Sequence, residues 1–494
     1  MAGVVLTLLI FLPLLGGLPL LALNGRPVLA RWLALAIAGA ELGAMVLVTL
    51  RTPQLGVGTL PGGYFLMEDR SWIPTFGIRY LVGMDGISYL LAALTAFITP
   101  LAIFTSWRSI REKVGCHFAL ILLLEGAIMG IFLSLDLVLF YLFWEGMLIP
   151  MFLLIGVWGH GNRIRSALKF FLFTFSGSVL MLLGIIGLHL VHLAGGGKAT
   201  FALPELIGTR FPPGVEGWLC AAFLLAFAVK APLVPFHTWL PDAHTDAPTA
   251  GSVDLAGLLL KTGAYGFIRF AWPLFPHATA RLTPLLYVVA VAGIIYGAWI
   301  AYAQTDMKRL VAYSSISHMG FIMLGIAAWT PLSLTGSLLQ MVNHGITTGA
   351  LFALVGMLGE RAGTREISAF GGLWDRAPFL SGLFLLFAMA SAGLPGLNNF
   401  VGEFLILTGS FRAAPLVTIF AFTGVVLTLL YTVRLAKLLL FVTPRGDLPL
   451  GEISRRELVI LGTLAVVALY LGLHPTPFLQ LLQGPVGLLT GGGS

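Results

Sequence analysis

Charge, cysteine and nucleotide-binding turns are all scarce in this chain, and each scarcity removes a class of function. Only 10% of the 494 residues are Asp, Glu, Lys or Arg, too few to solvate a water-soluble protein of this length. The formal charge is +7, but the basic residues are scattered through short loops, so no dense patch offers itself to nucleic acid. The two cysteines, Cys116 and Cys220, stand in separate apolar stretches with no Cys-x-x-Cys or Cys/His ligand spacing, which argues against zinc, iron–sulfur and disulfide frameworks. No glycine-rich turn follows a strand pattern, so no nucleotide or other cofactor is assigned to the chain. The first apolar span, Val4 to Leu23, lacks both a basic leader region and a small-residue cleavage site and reads as a retained helix. The terminal Gly-Gly-Gly-Ser carries no signal.

What is abundant is apolar sequence. Hydrophobic residues make up 58% of the chain and the mean hydropathy is +0.96, which indicates an all-α polytopic membrane protein. The 60 glycines suit helices whose backbones approach closely. Counting apolar runs of about 20 residues, the length that crosses about 30 Å of hydrocarbon, gives 14 transmembrane helices, centred near residues 14, 39, 94, 125, 147, 180, 228, 261, 292, 318, 346, 395, 427 and 465. Basic residues collect on every second loop, for example Arg108, Arg111 and Lys113, then Arg163, Arg165 and Lys169, then Lys308 and Arg309, and later Arg434, Lys437, Arg445, Arg455 and Arg456. That side is read as cytoplasmic and both termini as periplasmic. Fewer basic residues, among them Arg51, Arg70, Arg79, Arg269 and Arg412, mark the other side. The loop around Asp242 and Asp246 breaks the pattern, because it falls inside without a Lys or Arg. Arg51 to Tyr80, with Pro53, Pro61 and Pro74, reads as an external loop.

A weak internal symmetry is visible. The seventh span is interrupted at Lys230-Ala-Pro-Leu-Val-Pro235, and the twelfth, from Phe379 to Phe411, is too long for one straight crossing and contains Gly393-Leu-Pro-Gly396. Interrupted helices five spans apart are what inverted repeats produce, with active groups at the breaks. The expected organisation is three helices and an external loop in 1–114, a first repeat (helices 4–8) in 115–272, a second (helices 9–13) in 281–442, and a last helix and tail in 443–494.

The polar groups inside these spans are the candidate site. Lys230 and Lys261 fall near mid-membrane, where a charge costs about 2.5–3.5 kcal/mol on insertion scales and is functional by default. Glu145 lies nine residues after Asp136, about 13 Å along its helix; it is either a tolerated protonated carboxyl or, as we favour, a partner for Lys230. His318 and His344 lie mid-span in consecutive helices beside Ser314, Ser315, Ser317, Thr347 and Thr348, as packing residues or as part of a proton path. Glu403 follows the break in the twelfth helix, as a structural partner of Asn398 or Asn399 or as the last proton carrier. Glu125 is compatible with local hydrogen bonding. Asp254 precedes Lys261 by seven residues, hence shares its face, as a feeder or a helix-start residue. His237, Asp242, His244 and Asp246 lie among prolines without helical ligand spacing and read as a hydrogen-bonded loop, not a metal site.

The stretches FWEGMLIPMFLL (143–154), FAVKAPLVPFHTWLPDAHTDAPTAGSVDLAGLLLKTGAYG (227–266), YGAWIAYAQTDMKRLVAYSSISHMG (296–320) and GLPGLNNFVGEF (393–404) closely resemble the antiporter-like subunits of respiratory complex I, the proton-pumping NADH:quinone oxidoreductase. The resemblance runs from about Ser71 to the last span. It implies the same 14-helix architecture with two inverted five-helix repeats, two sister antiporter-like subunits and other membrane-arm subunits as partners, and NADH, FMN, iron–sulfur clusters and quinone held in partner subunits. One of the three family members has glutamate where the other two have lysine in the broken twelfth helix, and Glu403 matches that member. Carried over, Glu145 and Lys230 resemble the paired uptake-side groups, Lys261 the central carrier, His318 and His344 the bridging groups and Glu403 the terminal carrier. Multi-subunit sodium/proton antiporters and membrane-bound hydrogenases share much of this motif set and remain alternatives, as does a structural spacer with no proton path.

Overall fold

In the computed structural model, which describes residues 4–52, 58, 60–443 and 451–491, the apolar stretches fold as helices. Pro53, Arg445 and the last three residues of the Gly-Gly-Gly-Ser tail lie outside the described residues. The chain begins with α1 (Val5–Gly17), prolonged by a tighter turn to Leu23, and α2 (Pro27–Arg51). The segment expected as a loop then forms a hairpin of antiparallel strands, β1 (Leu66–Ile73) and β2 (Ile78–Met84), turning at Gly77 with φ 71°. Its buried Glu68 accepts from the Leu6 amide at 2.7 Å and the Thr7 amide at 3.3 Å, so the hairpin caps the start of α1, where a carboxylate complements the helix dipole.

The helices continue as α3 (Gly86–Ser106), α4 (Val114–Leu133), α5 (Leu137–Gly146), α6 (Leu148–Trp158) and α7 (Arg163–Ala194). The next part is fragmented. α8 (Val215–Lys230) stops at the lysine, α9 (Trp239–Asp246) follows, and α10 (Thr249–Asp254) joins α11 (Leu260–Gly266) through a π-helical turn at Leu255–Leu259. A second π turn, Phe267–Ala271, follows. Regular helices resume with α12 (Pro276–Ala303), α13 (Met307–Ala328) and α14 (Pro331–Ala362). α15 (Pro378–Ser391) and α16 (Asn398–Ala413) are the halves of an interrupted helix, before α17 (Pro415–Leu440), α18 (Arg455–Leu473) and α19 (Thr476–Thr490).

Among the described residues, eleven helical stretches are long and apolar enough to cross a membrane. The expected seventh, eighth and twelfth spans are the stretches built from shorter pieces. Acidic residues start several helices: Asp85 caps α3, Asp136 caps α5 and Asp306 caps α13, each accepting from two backbone amides. α13 and α14 lie at the centre, buried along most of their length, whereas α2, α12 and α17 turn Leu, Val and Trp side chains outward.

Three sequence expectations need correction. Residues 239–246 are helical, not a loop, and Asp242 lies 2.7 Å from Lys169 Nζ and 3.6 Å from Arg309 Nη1. The acidic segment that broke the charge pattern is thus paired with basic residues of the same end. Arg269, counted among external loops, is buried in the second π turn; its Nη2 donates to both Asp85 oxygens at 2.6 and 2.7 Å and its Nε to Tyr265 at 3.1 Å. Asp254 is fully buried inside the α10–α11 segment, but its carboxyl oxygens bond nothing. The intervening π turn inserts an extra residue, so the regular seven-residue spacing by which Asp254 and Lys261 were expected to share a face is not kept.

Candidate functional site

Proline sets the first half of the site. Pro232 and Pro235 cannot continue α8, so the helix ends at Lys230, and the Val229 carbonyl that the break leaves free accepts from the Trp239 ring nitrogen at 2.9 Å. Lys230 is buried, and its Nζ has no hydrogen-bond partner. It lies 5.1 Å from the centre of the Trp144 ring and 5.9 Å from that of Phe170, a cation–π setting worth about 1–2 kcal/mol when dry. The expected direct pair with Glu145 is not formed: Glu145 Oε1 is also unpartnered, and the two groups act on one another only across a gap. The reason is rotational. Successive helical residues point about 100° apart, so when Trp144 faces inward onto Lys230, Glu145 faces the half-buried flank at the end of α5.

The second half carries hydrogen bonds at both of its ends, with a ring contact between its two histidines. Lys261 lies between the two π turns, a form of helix common at functional sites; its Nζ donates to the Ala256 carbonyl and stands 2.7 Å from His344 Nδ1. The rings of His344 and His318 are 5.6 Å apart. His318 Nδ1 lies 3.0 Å from Glu403 Oε1 and its Nε2 3.2 Å from Ser391 Oγ. Gln340 Nε2 donates to the same Glu403 oxygen at 3.1 Å. Asn398 instead exchanges hydrogen bonds with Asn343 and accepts from Thr347, so neither it nor the unpartnered Asn399 holds Glu403. The break at Gly393 (φ 74°) comes so close that a Cβ there would sit 3.1 Å from Glu403 Oε2, which is where this turn requires glycine.

The two halves meet through glycine. At Gly263 a Cβ would stand 2.6 Å from the Ala231 amide nitrogen and 2.9 Å from the Phe227 carbonyl oxygen, so the bare backbone of α11 packs on the end of α8 and brings the two lysine-bearing segments together. Toward the arginine-rich end, a cavity of about 730 Å³ is lined by Arg108, His160, Thr249, Glu360 and Arg456, and a neighbouring one of about 560 Å³ shares His160, Thr249 and Glu360 and reaches Lys308. His244, buried between this end and Lys261, stacks on Phe352 with ring centres 4.4 Å apart. No group of three potential metal ligands forms among the described residues.

Gln340 and Ser391 were not singled out from the sequence. Gln340 precedes His344 by four residues, one helical turn on the same face, and that spacing was the available signal.

A family profile described as NADH:quinone oxidoreductase/Mrp antiporter, transmembrane, matches residues 134–428, which include Glu145, Lys230, Lys261, His318, His344 and Glu403. The chain belongs to that family. It is 44% identical over 487 residues to NADH-quinone oxidoreductase subunit M of Pseudomonas aeruginosa, covering 97% of this chain and 96% of the relative. To the subunit M of Escherichia coli K12 it is 41% identical over 476 residues, 92% of each chain. Among solved structures it superposes on a chain of respiratory complex I from Thermus thermophilus with bound NADH, with TM-score 0.88 and 33% identity over 98% of this chain and 99% of that one. A chain of the Mrp complex from Dietzia has the same fold, with TM-score 0.87 and 22% identity over 99% of this chain and 97% of that one.

Proposed function

We propose that this chain is a proton-translocating subunit of the membrane arm of a respiratory NADH:quinone oxidoreductase. In this reading it moves protons from cytoplasm to periplasm across the inner membrane while its partner subunits oxidise NADH through FMN and iron–sulfur clusters and reduce quinone. The observation that carries it is the buried row Lys261, His344, His318 and Glu403, with 2.7 Å and 3.0 Å contacts at its ends and histidine rings 5.6 Å apart in the middle. Such a line has no packing role that apolar residues would not serve at lower cost. Adding the interrupted helices α8/α9, α10/α11 and α15/α16 to the eleven long stretches brings the crossings to 14. The two interrupted helices with proline breaks sit at corresponding places in inverted repeats, and both termini are periplasmic.

Lys230 and Glu145 supply the switch. The partly exposed flank at Glu145 is where a sister antiporter-like subunit or lipid would meet the chain. When Glu145 approaches Lys230, a unit charge about 4 Å away at an effective dielectric near 20 is worth about 4 kcal/mol. Carrying one charge across the membrane costs about 2.3 kcal/mol per 100 mV, so making and breaking one such pair drives a proton against about 170 mV. Opening the pair makes Lys230 release its proton toward Lys261; the histidines pass it to Glu403, and it leaves on the periplasmic side. The 41–44% relatives named for the oxidoreductase favour this over an Mrp-type antiporter, whose likeness at 22% identity is one of fold.

The test is NADH-driven proton uptake in proteoliposomes, comparing the intact complex with one assembled around Lys230→Ala. Pumping and NADH oxidation are expected to fall together. Unchanged rates of both would return the chain to the antiporter and spacer readings. Flavin and iron–sulfur absorbance in the purified complex distinguishes those partners directly.

A further inference from the structure

Three buried carboxyls stand outside the line just described. Glu41, Glu125 and Asp254 are 0%, 1% and 1% exposed, and none of their six oxygens has a hydrogen-bond partner. They come from three different elements. Glu41 sits on the inward stripe of α2 with Ala34, Ala38 and Met45; Glu125 is on α4; Asp254 ends α10. Their helices are neighbours: α2 packs against α4, and α3 packs against both α4 and α10. An isolated carboxylate in apolar surroundings is prohibitively expensive, and two close ones cannot ionise together, so the group holds protons and surrenders one at a time.

Its position relative to Lys261 is the second observation. Besides reaching His344, the Lys261 Nζ also donates to the carbonyl of Ala256, two residues from Asp254. α10 itself begins at Thr249, which lines the 730 Å³ cavity at the arginine-rich end. At about 1.5 Å per residue, Asp254 stands only about 8 Å along the helix from that cavity.

We infer that Asp254, Glu125 and Glu41 form a carboxyl reservoir that reprotonates Lys261 after it has passed its proton to His344, a role resting on the proton-relay reading above. In the step itself the O–H bond of the Asp254 acid breaks and an N–H bond forms on neutral Lys261, leaving a carboxylate and an ammonium. The Asp254 carboxylate then takes a proton from Glu125, Glu125 takes one from the cavity side or from Glu41, Glu41 is in turn refilled by a proton from the cavity side, and over the whole sequence the only charge added is that of the incoming proton.

The test uses the whole complex in proteoliposomes with neutral, near-isosteric substitutions: Asp254→Asn, Glu125→Gln and Glu41→Gln. These keep volume and polarity, so a merely structural role survives them. A removed proton carrier is expected to slow NADH-driven pumping and NADH oxidation together by about tenfold or more for Asp254→Asn and Glu125→Gln, with Asp254→Glu and Glu125→Asp restoring most of the rate. Lys261→Ala is measured beside them. If it abolishes pumping while Asp254→Asn and Glu125→Gln run at the unsubstituted rate, the reservoir is wrong and the relay stands; if Lys261→Ala is itself silent, the relay reading fails first. Should the variants not assemble, the infrared difference spectrum of the unsubstituted complex between rest and turnover decides. Changes are expected in the protonated-carboxyl band, and their complete absence would overturn the proposal.

Discussion

Lys230 and Glu403 stand at the two proline- or glycine-broken helices of one chain, yet their surroundings are opposite. Glu403 is clamped, with His318 and Gln340 on one oxygen and the Gly393 turn against the other. Lys230 is held only by the faces of Trp144 and Phe170, with its natural counter-ion turned toward the flank. A side chain surrounded by hydrogen-bonding partners is held in one place by several contacts at once. One surrounded by aromatic faces has no local competitor, so the approach of a single carboxylate dominates its behaviour. In the proposed relay the first half is thus the part that is switched and the second the part that conducts.

The sharpest way to break this comparison is Lys230→Arg. Arginine keeps the charge and the ring contacts but does not give up its proton, so pumping in proteoliposomes is expected to vanish as completely as with alanine. Retained pumping would make Lys230 a fixed charge, no different in kind from Arg269. That arginine provides the next contrast, since its pair with Asp85 is buried and closed. Asp85→Asn leaves Arg269 uncompensated, at a cost of about 3–5 kcal/mol, and is expected to appear as a lowered melting temperature or lost assembly of the complex, not as uncoupled turnover.

Glu403→Gln preserves the hydrogen bonds to His318 and Gln340 and removes only the exchangeable proton; about a tenfold fall in pumping is expected, measured by acidification inside the vesicles. Glu403→Lys, which installs the lysine that the family resemblance implies for the two sister subunits, is expected to retain partial function. Complete loss with normal assembly would mean that the clamp requires a carboxyl. The smallest effect belongs to Trp144→Leu. Losing a cation–π contact of about 1–2 kcal/mol should alter NADH oxidation only several-fold, and no change at all would remove the aromatic setting from the switch.

How much of this was readable beforehand depended on contrast. Lys230, Lys261, His318, His344 and Glu403 stood out because a polar group inside a 20-residue apolar run is conspicuous. Glu41 was equally polar and was missed, although the stripe Ala30, Ala34, Ala38, Glu41, Met45, Val48 has helical spacing and marks it as inward-facing. The hairpin at residues 66–84 was hidden by the prolines around it, and α9 by Pro241 within it and by the prolines on either side. The π turns left no trace in composition, so the face of Asp254 was assigned by a regular period that the helix does not keep.

By itself the sequence determined the class of molecule, the helical segments and where two of them break, because hydrocarbon length, proline and glycine act locally and leave their mark in order along the chain. Which polar groups touch was decided only by the packing of distant segments. His318 meets Glu403 across 85 residues and Lys261 meets His344 across 83, while Glu145, which the sequence set beside Lys230, is turned away by a rotation of one residue on α5. Contacts of a few ångströms are fixed by helix phase and close backbone approach, as at Gly263 and Gly393, and these belong to the folded chain as a whole.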